Sequence, residues 1–270
     1  MSSGRSDECR VQDRLLRKVG SQQLARWIWN EARSRFSDED VEVAAFEFAD
    51  RYLAGEPLQY VFGHWSFRTL ELKCDRRGLI PRPETELLVD MVKDDLQANP
   101  WMKRVLEIGT GTGAIALALA TEVSGLSIVA TDVSLDALSL AKENLASQEA
   151  LTSEVMMVHS DLFSALGGYG LFDLIVSNPP YVPSSTVLDV TVADYEPHQA
   201  LFGGGDGLQI IAKLISGSPA KLSRRGAELY LEIDESHGGR VNELASQSGF
   251  SAIEIHQDLA GKDRFARLIY

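Results

Sequence analysis

The sequence predicts an α/β protein, a mostly parallel, doubly wound sheet preceded by a small helical segment. Three observations carry that prediction. From Arg104 onward, short apolar runs alternate with stretches at helical spacing. A glycine-rich turn follows the first of those runs. Residues 1–56 show helical periodicity throughout. Of the 270 residues, 44% are hydrophobic and 24% charged, which excludes a largely disordered chain. The longest apolar stretch, Ala114–Ala120, falls far short of the ~20 residues that span a bilayer and reads as a buried helix.

In the first segment Val11, Leu15, Leu16 and Val19 recur at helical spacing, as do Leu24, Trp27, Ile28 and Ala32. Ser37 and Asp40 resemble a capping box opening a third helix, with Val41, Ala45, Phe48 and Tyr52 on one face. Gly55 and Pro57 stop it. The pattern then changes. Leu70, Leu72 and Cys74 alternate with polar residues, the period of a half-exposed strand, and Gln59–Phe62 is expected to pair back on it across Gly63–His64 as a hairpin. Pro81 and Pro83 break the chain, and helical spacing resumes from Thr85. Strands are expected at 105–108, 127–131, 155–158, 172–177, 227–233, 253–255 and 265–269, with helices at 114–120 and 135–146 between the first three.

The formal charge of −13 argues against a nucleic-acid backbone as the main ligand. Residues 1–36 run against that balance, with eight Lys/Arg and four Asp/Glu, a net of +4 that leaves −17 for the rest. This segment lacks the apolar core of a secretory signal, and Asp7, Glu8 and Asp13 speak against a transit peptide. With only Cys9 and Cys74 the chain can build neither a disulfide framework nor a four-cysteine zinc site, so a reducing cytoplasm and no bound metal are expected.

Two motifs carry chemistry. In Val105–Ala114 a strand runs into Gly109-Thr110-Gly111-Thr112-Gly113 at the start of a helix, with Glu107 just before. A dinucleotide fingerprint spaces its third glycine differently, and a pyrophosphate prefers no acid nearby. The Gly-x-Gly-x-Gly loop instead resembles the cofactor loop of seven-stranded S-adenosylmethionine-dependent methyltransferases, where Glu107 would suit an ammonium group. Asp132, about 20 residues on, is placed to bind ribose hydroxyls. Asp161–Leu162, after the third strand, would hold an adenine.

The second motif is Asn178-Pro179-Pro180-Tyr181, directly off a buried strand. Proline cannot continue a central strand, so the chain must turn out beside the glycine loop. A planar amide or exocyclic amine is a poor nucleophile with two in-plane donors. The Asn178 side-chain oxygen and the Pro179 carbonyl could hold it while Tyr181 stacks on its face, so that catalysis rests on orientation. No residue is an obvious general base. Adenine N6, cytosine N4 and a glutamine amide fit this equally.

The wider pattern separates them. Gly55–Gly63, Leu79–Leu88 with its Pro81-Arg82-Pro83-Glu84 run, Val105–Ala120, Asp173–Tyr181, Tyr195–Pro197, Ala200–Gly204, Asp206–Leu208 and Asp258–Arg264 together resemble the HemK/PrmC protein-(glutamine-N5) methyltransferases. That resemblance covers nearly all of residues 50–270. It implies a seven-stranded class I (Rossmann-like) methyltransferase domain at 81–270, a β-hairpin linker at 57–80 and a helical recognition domain at 1–56. It also implies transfer of a methyl group from S-adenosyl-L-methionine to the glutamine of the Gly-Gly-Gln motif in peptide-chain release factors, leaving S-adenosyl-L-homocysteine. A monomer without membrane association or stable nucleic-acid binding is expected. Gly109–Gly113, Asp132, Leu162 and Asn178 would line the cofactor pocket. Asn178–Tyr181 would hold the glutamine, and Pro81–Glu84 would wall the pocket near the methyl group. Arg82 and Glu84 are also spaced for a salt pair at a helix start. The chain departs from its relatives at Gly203-Gly204-Gly205 and at Glu232–Gly238, both expected to bear on loop shape. His237 is expected to face solvent.

Overall fold

The computed structural model describes residues 3–224 and 226–270; the side chains of residues 1–9, Cys9 among them, and of Arg225 lie outside the described residues. The chain falls into two units, Met1–Gly63 with Asp189–Tyr195, and His64–Leu188 with Glu196–Tyr270.

The first unit is helical. It contains α1 (Ser3–Val19), α2 (Gln22–Arg35), α3 (Val41–Leu53) and α4 (Leu58–Phe62). Leu15, Ile28, Ala32, Ala45 and Phe48 meet in its core, as the periodicity predicts. Two expected core aromatics are displaced: Trp27 is 46% exposed and Tyr52 37%, while Trp29 takes the inward position on α2. The capping expectation also shifts. Ser37 forms a turn that precedes α3, its hydroxyl donating to Asp40 Oδ2 (2.7 Å) and its carbonyl accepting from Asp40 and Val41 N–H.

Gln59–Phe62 is a helix, not a strand. A short run of Tyr, Val and Phe carries strand propensity, but propensity yields to burial. Leu58, Val61 and Phe62 pack into the helical core, Gly63 ends the turn at φ 74°, and Arg51 donates to the Tyr60 and Val61 carbonyls (both 3.1 Å). The hairpin lies one step on: β1 (His64–Phe67) pairs antiparallel with β2 (Leu70–Lys73), and Leu70, Leu72 and Cys74 turn inward as their alternation predicts.

The second unit adds α5 (Pro83–Ala98), β3 (Arg104–Ile108), α6 (Ala114–Glu122), β4 (Ser127–Asp132), α7 (Leu135–Ala146), β5 (Glu154–His159), β6 (Leu174–Ser177), β7 (Glu228–Glu232), β8 (Ala252–Gln257) and β9 (Asp263–Ile269). Strands β3 to β9 form one sheet in the order β5-β4-β3-β6-β7-β9-β8, parallel except where β9 runs antiparallel to β7 and β8. Every residue of Ala114–Ala120 is buried, which explains an apolar stretch with no polar face. The strand order reverses between β3 and β6. In such sheets ligands bind at the carboxyl ends of the strands beside that switch point, where both motifs emerge.

Candidate active site

The end of β3 is tied to the end of β4. Gly109 and Thr110 N–H donate to the Thr131 carbonyl (2.8 and 2.9 Å), and the Thr131 hydroxyl returns to the Glu107 carbonyl (3.0 Å). Gly109, Gly111 and Gly113 all take positive φ, which is why the loop is built from glycine. Glu107 is 1% exposed; its Oε2 accepts from the Thr110 hydroxyl (2.7 Å) and from Ala116 N–H (3.1 Å). Burial pushes its carboxyl up to about 8. Asp132 closes β4, with Oδ2 accepting from Gly111 N–H and Oδ1 from Ser134 N–H (both 2.9 Å). Burial raises its pKa too, against those backbone donors. Ser134, not Asp132, caps α7. After β5, the Ser160 hydroxyl donates to the Leu162 carbonyl (2.8 Å) and holds Leu162 at φ 48°.

At the end of β6, the Ser177 hydroxyl locks onto the Ile108 carbonyl (2.6 Å), so the two strand ends share one bond. Asn178 Nδ2 then donates to Thr85 Oγ1 (3.0 Å), Thr85 Oγ1 donates to Glu232 Oε2 (2.7 Å), and Tyr181 Oη donates to Glu232 Oε1 (3.2 Å). Burial and Glu232 lift the Tyr181 phenol above its ordinary range. Val182 exchanges backbone bonds with Leu201 and Gly203, and a Cβ on Gly207 would land on the Tyr181 carbonyl.

A cavity of about 440 Å³ opens between these walls. Of the residues singled out by sequence, Pro81, Arg82, Glu107, Gly109, Thr110, Gly111, Thr112, Asp132, Asp161, Leu162, Asn178, Pro179 and Pro180 line it. Gly113, Pro83, Glu84 and Tyr181 are not among its lining. Gly113 instead lets α6 start against Leu117; Pro83 and Glu84 are exposed; the Tyr181 hydroxyl is engaged by Glu232. The volume and the mixture of apolar wall, backbone donors and three acids fit a nucleoside-sized ligand with a charged tail. Among the described residues no cluster of His, Cys, Asp and Glu is arranged to hold a metal ion, and no helix is long and apolar enough to cross a membrane.

Two expectations are corrected here. Arg82 does not pair with Glu84; its guanidinium donates to Glu196 Oε1 (2.5 Å), a buried carboxylate that also accepts from Ile80 N–H (3.1 Å). His237 does not face solvent: it is 4% exposed, with Nε2 3.2 Å from the Asp206 carbonyl and Nδ1 without a hydrogen-bond partner. The second departure from the family pattern packs against the neighbouring Asp206–Leu208 turn, since His237 Nε2 lies 3.2 Å from the Asp206 carbonyl and a Cβ on Gly207 would sit 3.1 Å from His237 Cε1. That turn and the first departure lie close to the Asn-Pro-Pro-Tyr backbone: a Cβ on Gly203 would land on the Pro180 carbonyl, and one on Gly207 on that of Tyr181. Sequence reasoning missed Thr85, Glu196 and Glu232. Thr85 sits within the Pro-Arg-Pro-Glu-Thr-Glu run, and Glu232 is the acid that ends the strand Glu228–Glu232, but nothing in the sequence joins them.

Residues 83–225 match the methyltransferase small domain family. The chain is 38% identical over 234 residues to a release factor glutamine methyltransferase of Rhodopirellula baltica, covering 84% of this chain and 78% of that protein. A protein of the same name from Lactococcus lactis is 37% identical over 241 residues, covering 88% and 86%. Among solved structures, a methyltransferase from Pyrococcus furiosus aligns with TM-score 0.54 and 20% identity over 82% of this chain and 95% of that one, which shows a shared fold.

Proposed function

The chain belongs to the release factor glutamine methyltransferase family, and from that footing we propose that it methylates the side-chain amide N5 of the glutamine in the Gly-Gly-Gln motif of peptide-chain release factors, a step serving translation termination. The observation that carries this reading is Asn178 in the lining of the cavity, directly beside the glycine loop and followed by the rigid Pro179 and Pro180. S-adenosyl-L-methionine would supply an electrophilic methyl group on a sulfonium and leave as S-adenosyl-L-homocysteine. Asp132 would accept from the ribose hydroxyls, Leu162 and Asp161 would border the adenine, and Glu107 would lie toward the ammonium end. Gly109–Gly113 lets the backbone approach closely.

On the acceptor side, Asn178 Oδ1 and the Pro179 carbonyl accept the two N–H bonds of the substrate amide. Its nitrogen then presents π density rather than a hydrogen to the incoming carbon. As positive charge grows on that nitrogen the two acceptors strengthen. Once the methyl group is in place, one of the two N–H protons leaves to Asn178 or to water, restoring a neutral amide. The chain's contribution is therefore orientation and electrostatics. Tyr181 acts from behind this wall through Glu232. The helical unit, with its net positive N-terminal segment, is proposed as the part that recognises the folded release factor in the cytoplasm, the enzyme acting as a monomer.

Recombinant protein, labelled methyl donor and three acceptors (release factor, duplex DNA and ribosomal RNA) test the activity. Label should enter the release factor and vanish when its motif glutamine is replaced. Label confined to nucleic acid would sink the proposal in favour of adenine-N6 methylation.

A further inference from the structure

Neither Thr85 nor Glu232 touches the substrate amide in the methyl transfer just described, yet both are almost fully buried, at 5% and 1% exposure. They stand 147 residues apart in sequence and are joined by a hydrogen bond, with Thr85 lining the cavity beside Asn178. Burying a carboxyl group away from water is costly unless donors surround it. Glu232 has two, the hydroxyls of Thr85 and Tyr181, one on each oxygen.

The directions of these bonds matter more than their number. The oxygen and nitrogen of an asparagine amide have nearly the same shape, so packing leaves two orientations open and hydrogen-bond partners decide between them. An ionised carboxylate only accepts. Thr85 has a single hydroxyl hydrogen, and Glu232 takes it at 2.7 Å. Toward Asn178, Thr85 can therefore only accept, so the group 3.0 Å from it must be the NH2. The amide oxygen is then turned away from Thr85. In the reverse orientation that oxygen would meet a hydroxyl with no hydrogen left to give, and the NH2 would face the donors of a substrate amide.

We propose that Glu232 and Thr85 are positioning residues, a one-way hydrogen-bond relay that holds Asn178 in the single amide orientation offering an acceptor to the substrate. The inference rests on the proposed reaction, in which Asn178 Oδ1 accepts from the glutamine. Burial, the largest influence, raises the Glu232 pKa overall; the two hydroxyls and the positive charge of Arg264 pull the other way, toward the ionised form, and the nearby Glu84 adds to the rise. Only the ionised form makes the relay one-way, because a protonated Glu232 could donate to Thr85 and reverse it.

The test uses the full-length enzyme. Thr85→Val keeps the branched shape and removes the hydroxyl; Thr85→Ser keeps the hydroxyl. Thr85→Val should lower kcat on release factor by about 10- to 100-fold, the scale of a buried hydrogen bond lost from an oriented group. Its affinity for S-adenosyl-L-homocysteine, read by calorimetry, should stay within about twofold, because the glycine loop makes no bond to Thr85. Thr85→Ser should recover kcat to within about threefold. Added to Asn178→Ala, Thr85→Val should cost nothing further, since the residue it orients is gone. In the enzyme without ligands, the Asn178 side-chain amide protons should exchange with solvent faster in Thr85→Val than in the parent. That measurement stands apart from turnover.

Full kcat in Thr85→Val beside a dead Asn178→Ala would overturn the relay and leave the site intact. An Asn178→Ala enzyme with undiminished activity would overturn the site itself. A Thr85→Ser variant as poor as Thr85→Val, or additive losses in the double variant, would reduce Thr85 to packing. Should Thr85→Val fail to fold, Thr85→Ala removes the same hydroxyl, and full kcat with unchanged Asn178 amide exchange in that variant would overturn the relay.

Discussion

The two walls of the cavity are built differently. On the glycine-loop side nearly every bond joins residues close in sequence: Glu107 to Thr110 and Ala116, Gly111 to Asp132, Thr131 to Glu107. On the acceptor side, Asn178 reaches Thr85 across 93 residues, Thr85 reaches Glu232 across 147, and Tyr181 reaches Glu232 across 51. One wall is a local device of two adjacent βα units. The other is assembled from a helix start, a strand end and a loop that come together only in the folded sheet. The two should therefore fail separately, with damage to the first read in cofactor affinity and damage to the second in turnover.

The largest effect expected is Asn178→Ala, which should lower turnover by at least ~100-fold with a smaller loss of cofactor binding. Equal losses in both would dissolve the division between the walls. Asp132→Ala should act in the opposite sense, weakening cofactor affinity by about tenfold with kcat at saturation largely kept, as one charge-assisted contact is removed. An unchanged dissociation constant would mean that the ribose subsite lies elsewhere.

Gly207→Ala sharpens the comparison at a distance from the reacting atoms. Its φ of 79° and the Tyr181 carbonyl leave no room for a Cβ, so the loop must move at a cost of about 2 kcal/mol. Denaturant melts should show that loss, and kcat should fall more than cofactor affinity.

The last expectation is a pH slope. Glu107 titrates near 4.5 as an ordinary carboxyl and at about 8 in the folded protein. Between those values the native chain holds a proton that the unfolded chain has released. Stability should then fall as pH rises through that window, by up to about 1.4 kcal/mol per unit, and be independent of Glu107 below about pH 4. Glu107→Gln should flatten the slope in denaturation of the protein without cofactor. A parallel slope in that variant would assign the effect to other groups.

The local wall was legible in advance for a physical reason. A strand, a run of glycines forced to positive φ, and an acid at the next strand end are short-range consequences of one βα turn, so their spacing appears in the sequence. The Asn-Pro-Pro-Tyr exit was legible as well, because proline must leave the sheet. The partners of both Arg82 and Asn178 were not. Glu196 and Glu232 are remote acids whose burial depends on the β6–β7 pairing and on the chain segment that follows β6.

Sequence alone determined the alternation of apolar runs and helices, the sheet it implies, the buried Ala114–Ala120 helix and the glycine turn, since period and backbone sterics act over a few residues. Tertiary structure decided that Gln59–Phe62 coils into a helix under Arg51, that Trp29 rather than Trp27 turns inward, and that His237 is buried against the Gly203–Gly207 loop. It also decided which way round the Asn178 amide sits. Those outcomes depend on what each side chain meets across the fold, and a hydrogen bond between residues far apart in the chain leaves no period to read.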